Sequence, residues 1–100
     1  MQRPRTRADA AAHIRRLLRE GADVQLTHHA RVRMAERDIS LGEIRAVLRA
    51  GMCRAQEHRG KQWTYTMERV VNERRLDVVT VILEEENGLL VITVYEVNIR

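Results

Sequence analysis

The hydrophobic period of this 100-residue chain changes once, at Gly51. Before that glycine, apolar residues recur three and four positions apart, as on one face of a helix; after it they alternate, as on one face of a strand. A single switch confines the chain to helices followed by strands. Short links between the strands require antiparallel neighbours, because a parallel return needs a long crossover. The expected fold is therefore α+β, with three N-terminal helices packed on a four-stranded antiparallel sheet.

Local signals place the elements. Residues 1–7 lack apolar periodicity and read as a disordered basic arm, which leaves 8–100 as one α+β domain. Thr6 or Asp9 caps a first helix whose stripe is Ile14, Leu17 and Leu18, and Gly21 ends it. Thr27 caps a second helix, with Ala30 and Met34 turned inward and Asp38 as its interruption. The third has the strongest local signature, a capping box Ser40-Leu-Gly-Glu43 flanked by Ile39 and Ile44 as a hydrophobic staple. Its core stripe is Ile44, Val47 and Leu48, and Gly51 stops it. Strands are expected over Met52–Glu57, Gln62–Val71, Leu76–Leu83 and Leu89–Ile99, with turns at Arg59-Gly60 and Asn87-Gly88. The third of these is apolar at nearly every position, as a central strand covered on both faces would be.

Charge is unevenly spread within a formal total of +4. Residues 1–37 carry nine arginines against four acidic residues, and residues 38–100 carry nine basic residues against ten acidic ones. A basic N-terminal third suits a nucleic-acid-binding face, and equally a solvated arginine-rich surface. No apolar run approaches the roughly 20 residues that span a bilayer, and no signal-peptide core follows the basic start. A soluble cytoplasmic protein is expected. One cysteine, Cys53, rules out an intrachain disulfide.

His13, His28, His29 and His58 show no ligand spacing backed by carboxylates or cysteines, so neither a metal nor another cofactor is expected. No glycine-rich phosphate loop, nucleophile elbow or paired-carboxylate motif is visible. What remains is His29, Arg33 and Arg37, at successive steps of four, which places an imidazole and two guanidiniums on one helical ridge. Like charges so spaced repel by a few tenths of a kcal/mol, so the row needs acidic partners or an anionic ligand. Histidine titrates near neutrality and arginine grips phosphate through a bidentate fork. Together they suit metal-free cleavage of RNA, in which the 2′-hydroxyl attacks the adjacent phosphorus. Alternatively, His29 stacks on the sheet and both arginines pair with strand glutamates, with Glu68, Glu84 and Glu96 as candidates.

The last strand offers Thr93 and Tyr95 on one face, with Val91 and Val97 beside them, as a hydroxyl pair that could line a cleft. Both residues also have high strand propensity and suit a half-buried position. Trp63 and Tyr65 could stack on bases, although core volume is the better use of Trp63 in a chain with three aromatics. Arg15 and Arg19 on the first helix, and Arg31 on the second, are further candidates for contacting a polyanion.

The run His29-Ala-Arg-Val-Arg-Met-Ala-Glu-Arg-Asp-Ile-Ser40 resembles the H-A-x-x-R-M-x-x-R-x-I-S signature of a widespread bacterial family of unknown function. Members of that family close with a strand ending T-V-Y, which Thr93-Val-Tyr95 matches; the resemblance spans about 26–97. It implies a fold like the RelE/ParE and colicin-type nucleases, and a toxin of a toxin–antitoxin pair acting as a metal-independent endoribonuclease. The site it implies is His29, Arg33, Arg37 and Tyr95 as catalytic groups, with Thr93 in the cleft. RNA, on the ribosome or off it, and an acidic antitoxin would be the partners. The alternative on the same fold is a non-catalytic module that binds nucleic acid or protein. The basic helix before residue 26 lies outside the resemblance.

Overall fold

The computed structural model describes residues 6–97. The elements run α1 (Arg7–Arg19), β1 (Val24–Leu26), α2 (His28–Arg37), α3 (Leu41–Ala50), β2 (Met52–Arg59), β3 (Gln62–Val71), β4 (Arg74–Leu83), a 3-10 turn (Glu84–Glu86) and β5 (Gly88–Val97). The fold is α+β, but the sheet has five strands rather than four, in the order β1-β5-β4-β3-β2. The additional strand, β1, pairs parallel with β5, Val24 opposite Leu89 and Leu26 opposite Val91. Three residues between Asp23 and Thr27 are too few to show a strand period, and their partner lies more than sixty residues away. The other four strands form the expected antiparallel meander, with β4 in the middle.

Each helix begins and ends where its side chains demand. Thr6, not Asp9, caps α1, its hydroxyl accepting from Asp9 N at 3.1 Å. Thr6 and Arg7 thus belong to the helix, while the rest of the expected arm, residues 1–5, lies outside the described residues. Asp38 ends α2 in the left-handed conformation, φ 54. The capping box of α3 is complete: Glu43 N donates to Ser40 Oγ at 3.1 Å and Ser40 N donates to Glu43 Oε1 at 2.9 Å.

Gly51 has an ordinary φ of −78, so conformational freedom is not its role. A Cβ there would lie 2.5 Å from Val47 O and 2.8 Å from Glu68 O, so glycine lets the helix end pass against β3. The β3–β4 hairpin turns on Asn72 and Glu73, both at positive φ (52 and 66), the geometry whose twist matches that of the strands. The β2–β3 turn falls at Gly60-Lys61, one residue later than expected, because β2 continues to Arg59. At the far end, the 3-10 turn and left-handed Asn87 make a longer connection than a two-residue Asn-Gly turn.

The three helices pack on one sheet face. Ala10, Ile14, Ala30, Ile44, Val47 and Leu48 are buried against Tyr65, Met67, Leu76, Val78, Leu89 and Val91. Each fully buried aliphatic side chain contributes about 1.5–3 kcal/mol. The other face presents Glu68, Asp77 and Tyr95, aligned across β3, β4 and β5. Trp63 packs beside the core and stacks on His58, ring centroids 4.9 Å apart, and Tyr65 is buried, so neither ring is free to receive a base.

A candidate cationic ridge and a carboxyl pair on the sheet

The second helix is pinned at both ends. At its start, Thr27 N donates to Val91 O at 3.0 Å, while its hydroxyl accepts from Ala30 N at 3.0 Å and donates to Ile92 O at 2.8 Å. At its end, Arg74 reaches from β4 to the carbonyls of Arg37 and Asp38, each at 2.9 Å. Arg74 also bonds both carboxylate oxygens of Glu43 at 3.1 Å and lies 3.6 Å from Glu96. Hydrogen bonds from Ser40 N and Asn72, then the charge of Arg74, hold the Glu43 carboxyl at about 2, against an ordinary 4.5. The corner between α2 and α3 is thereby fixed to the β3–β4 turn.

Along this braced helix, His29 and Arg37 are exposed, and neither side chain has a hydrogen bond or ion pair among the described residues. Among the described residues Arg33 pairs only with Glu36 on its own helix, at 3.3 Å and largely in solvent, which is worth little. The glutamates named as partners for the ridge are engaged elsewhere: Glu68 with Arg54, Glu84 of the 3-10 turn with His13, and Glu96 with Arg74. Among the described residues, Glu36 is the one carboxylate within 4.0 Å of a ridge guanidinium. Arg31 is exposed on the same helix.

Thr93 and Tyr95 are not joined to that ridge by any hydrogen bond or ion pair among the described residues. A bulge between Val79 and Thr80 on one strand and Val91 and Thr93 on the other inserts Ile92 as an unpaired residue. It shifts the alternation of β5, so Val91 faces the core while Thr93, Tyr95 and Val97 take the opposite face. The expectation that Val91 shares a side with Tyr95 is corrected on that ground. Thr27 anchors α2 at this same bulge, so Thr93 follows directly on the residue that α2 grips.

Tyr95 instead belongs to a polar cluster on the helix-free face. Arg54, the extra residue in a second bulge between Cys53 and Ala55, turns its guanidinium onto Asp77 Oδ2, with Nε at 3.2 Å and Nη2 at 2.8 Å. The same Nη2 lies 3.4 Å from the Tyr95 hydroxyl, and Nε is 3.4 Å from Glu68. Asp77 is fully buried, and its Oδ1 has no donor. Burial pushes the Glu68 carboxyl up, as does the Asp77 carboxyl beside it, while Arg75 and Arg54 draw it down. Asp77 raises the already high pKa of Arg54. Two carboxyls beside a fixed guanidinium and a phenol are the kinds of group that acid–base chemistry uses.

Sequence inspection finds no paired-carboxylate motif because Glu68 and Asp77 meet only through strand register. One signal was present: an aspartate in the otherwise aliphatic run Leu76–Leu83 must be buried with a partner or reveal a site.

Arg15 and Arg19 sit on α1, away from the ridge. Arg15 donates to Gly51 O at 3.4 Å, and Arg19 lines a shallow cavity with Arg45 and Arg49. Cys53 is buried, which pushes its thiol up, and it donates to Ala55 O. Among the described residues, no three His, Cys, Asp or Glu side chains are placed to hold a metal ion, and no helix is long and apolar enough to cross a membrane.

Residues 26–96 match the model of a family described as a domain of unknown function, DUF4258. The match covers more than half of the chain, including α2, α3 and the whole meander, and the protein belongs to that family. No curated protein and no solved structure matches it.

Proposed function

We propose that this protein is a small toxin-like, RNA-directed protein, a metal-independent endoribonuclease on a RelE-like fold. The observation that carries the proposal is the un-neutralised ridge of α2, a histidine and two arginines held on a helix braced at both ends. A helix gains nothing from such a row by itself, and a phosphodiester backbone supplies the missing negative charge. Arg33 and Arg37 hold the scissile phosphate, with Arg31, and Arg15 and Arg19 on α1, contacting backbone beyond it. His29 takes the proton from the 2′-hydroxyl or returns one to the leaving 5′-oxygen. The products are a 2′,3′-cyclic phosphate and a free 5′-hydroxyl. Thr93 and Tyr95, on the helix-free face of the sheet, take no part in that grip. An acidic antitoxin protein would silence the activity by covering the ridge.

A second reading, a non-catalytic RNA-binding module, draws on the absence of any bond between the ridge and Tyr95. Incubating defined RNA with the protein in excess chelator separates the two. Cyclic-phosphate ends that disappear in His29→Ala support the nuclease. Salt-sensitive binding without cleavage supports the module. Cleavage that survives His29→Ala but not Tyr95→Phe moves the acid–base role to the Arg54, Glu68, Asp77 and Tyr95 cluster.

A further inference from the structure

Among the described residues, more arginines without a carboxylate partner gather beside α3 than on the ridge. Three cavities meet where the end of α3 lies between α1 and β3. Arg19, Arg45 and Arg49, with Leu18 as an apolar floor, line one of 230 Å³. Arg49 also lines its neighbour of 400 Å³, with Arg69, Val70, Val71 and Asn72. Ala50 leads from there to a third, of 420 Å³, lined by Arg7 and Arg15. No residue lining any of the three is acidic. By contrast, Glu20, Asp23 and Glu86 gather around a separate cavity that has no basic lining.

Arg54, Arg59 and Arg74 each have a carboxylate within 4.0 Å. Arg19, Arg45, Arg49 and Arg69 have none among the described residues, although Arg45 and Arg49 are four apart on one helix face. Glu43 bonds Asn72, which lines the second cavity, but is committed to Arg74. Helix dipoles explain one cation in the last turn of α1 and one in that of α3. They do not explain why two helix ends bring their arginines to a common cavity with no acid to offset them.

We infer that the α1–α3 seam, with Arg19, Arg45 and Arg49 at its centre and Arg69 at its edge, is a second phosphate-binding track for single-stranded RNA. Each guanidinium can fork onto phosphate oxygens, and the shared cavity lets three act on adjacent phosphates. The inference goes beyond the ridge on α2 and does not require that RNA be cut.

Titrating the full chain with a short single-stranded RNA tests it, reading affinity against salt and the Arg side-chain N–H resonances by NMR. The Arg45→Gln/Arg49→Gln variant should bind more weakly and lose about 0.7 from the salt slope for each contact removed, about 1.4 in all. Arg59→Gln, with one of the same charge changes outside the seam, should leave the slope unchanged. RNA should move the resonances of Arg19, Arg45 and Arg49 in the wild type. Movement confined to Arg33 and Arg37 would overturn the seam and spare the ridge; movement confined to the seam would do the reverse. An unchanged slope in the double variant, or an equal loss in Arg59→Gln, would overturn the inference as well. So would binding of an acidic peptide, but not RNA, through Arg45 and Arg49.

Discussion

Arg54 and Asp77 meet on a single carboxylate oxygen, with Nε at 3.2 Å and Nη2 at 2.8 Å from Oδ2. The other oxygen is buried without a donor, and Glu68 lies across the strand pair from it. Removing the guanidinium strands a fully buried charge, whereas removing a half-exposed arginine elsewhere costs little. Arg54→Met should therefore destabilise the fold by about 2–3 kcal/mol in urea denaturation, the low end for a buried pair because Arg54 is itself partly solvated. A loss below about 0.5 kcal/mol would show that water reaches Asp77 in its place.

Glu68 gives stability an alkaline cost. Its carboxyl titrates above the ordinary value in the folded state, so above pH 4.5 the native protein binds more protons than the unfolded chain. Stability then falls as pH rises from the unfolded value towards the folded one. Glu68→Gln offers Asp77 an amide donor and removes this titration. It should be more stable than wild type at pH 7, with the advantage gone below about pH 4. Equal wild-type and variant pH profiles would mean that folding leaves the Glu68 carboxyl at its ordinary value.

Glu43 works in the opposite sense. Held at about 2 against 4.5 when unfolded, it contributes stability present above pH 4.5 and lost as pH falls through about 2. Glu43→Ala should cost about 1–2 kcal/mol at pH 7, by loss of the capping box and of Arg74's partner. It should also flatten thermal stability between pH 4.5 and 2, which calorimetry across that range would reveal.

Gly42, in the first turn of α3, and Gly51, at its C-terminal end, should respond in opposite directions to alanine. Gly42 faces open space, its nearest neighbour Ser40 Oγ at 3.8 Å, and Gly42→Ala should stabilise the helix by up to about 1 kcal/mol. Gly51→Ala forces a methyl onto two backbone oxygens and should cost about 2 kcal/mol or more. Equal effects in chemical denaturation would contradict the close passage of α3 against β3.

On the ridge, partners predict rank. Arg37 has no carboxylate among the described residues while Arg33 has Glu36 at 3.3 Å. Arg37→Ala should weaken RNA binding more than Arg33→Ala, and Glu36→Gln should strengthen it, each measured by anisotropy at fixed salt. The reverse order would assign the grip to another surface.

What the sequence determined by itself is what depends on neighbours within a turn or two of chain. The caps at Thr6, Thr27 and Ser40, the stop at Asp38 and the strand over Gln62–Val71 depend on residues close in the chain, and all are found where local chemistry places them. The cationic ridge was legible for the same reason, since its spacing is a property of one helix. Tertiary structure alone decided the pairing of β1 with β5, the bulge at Ile92 that parts Val91 from Tyr95, and the meeting of Glu68 with Asp77 under Arg54. It also decided which arginines find acids and which are left on the α1–α3 seam. Register, bulges and helix-end convergence are set by packing between segments far apart in the chain, and no short window of residues encodes them.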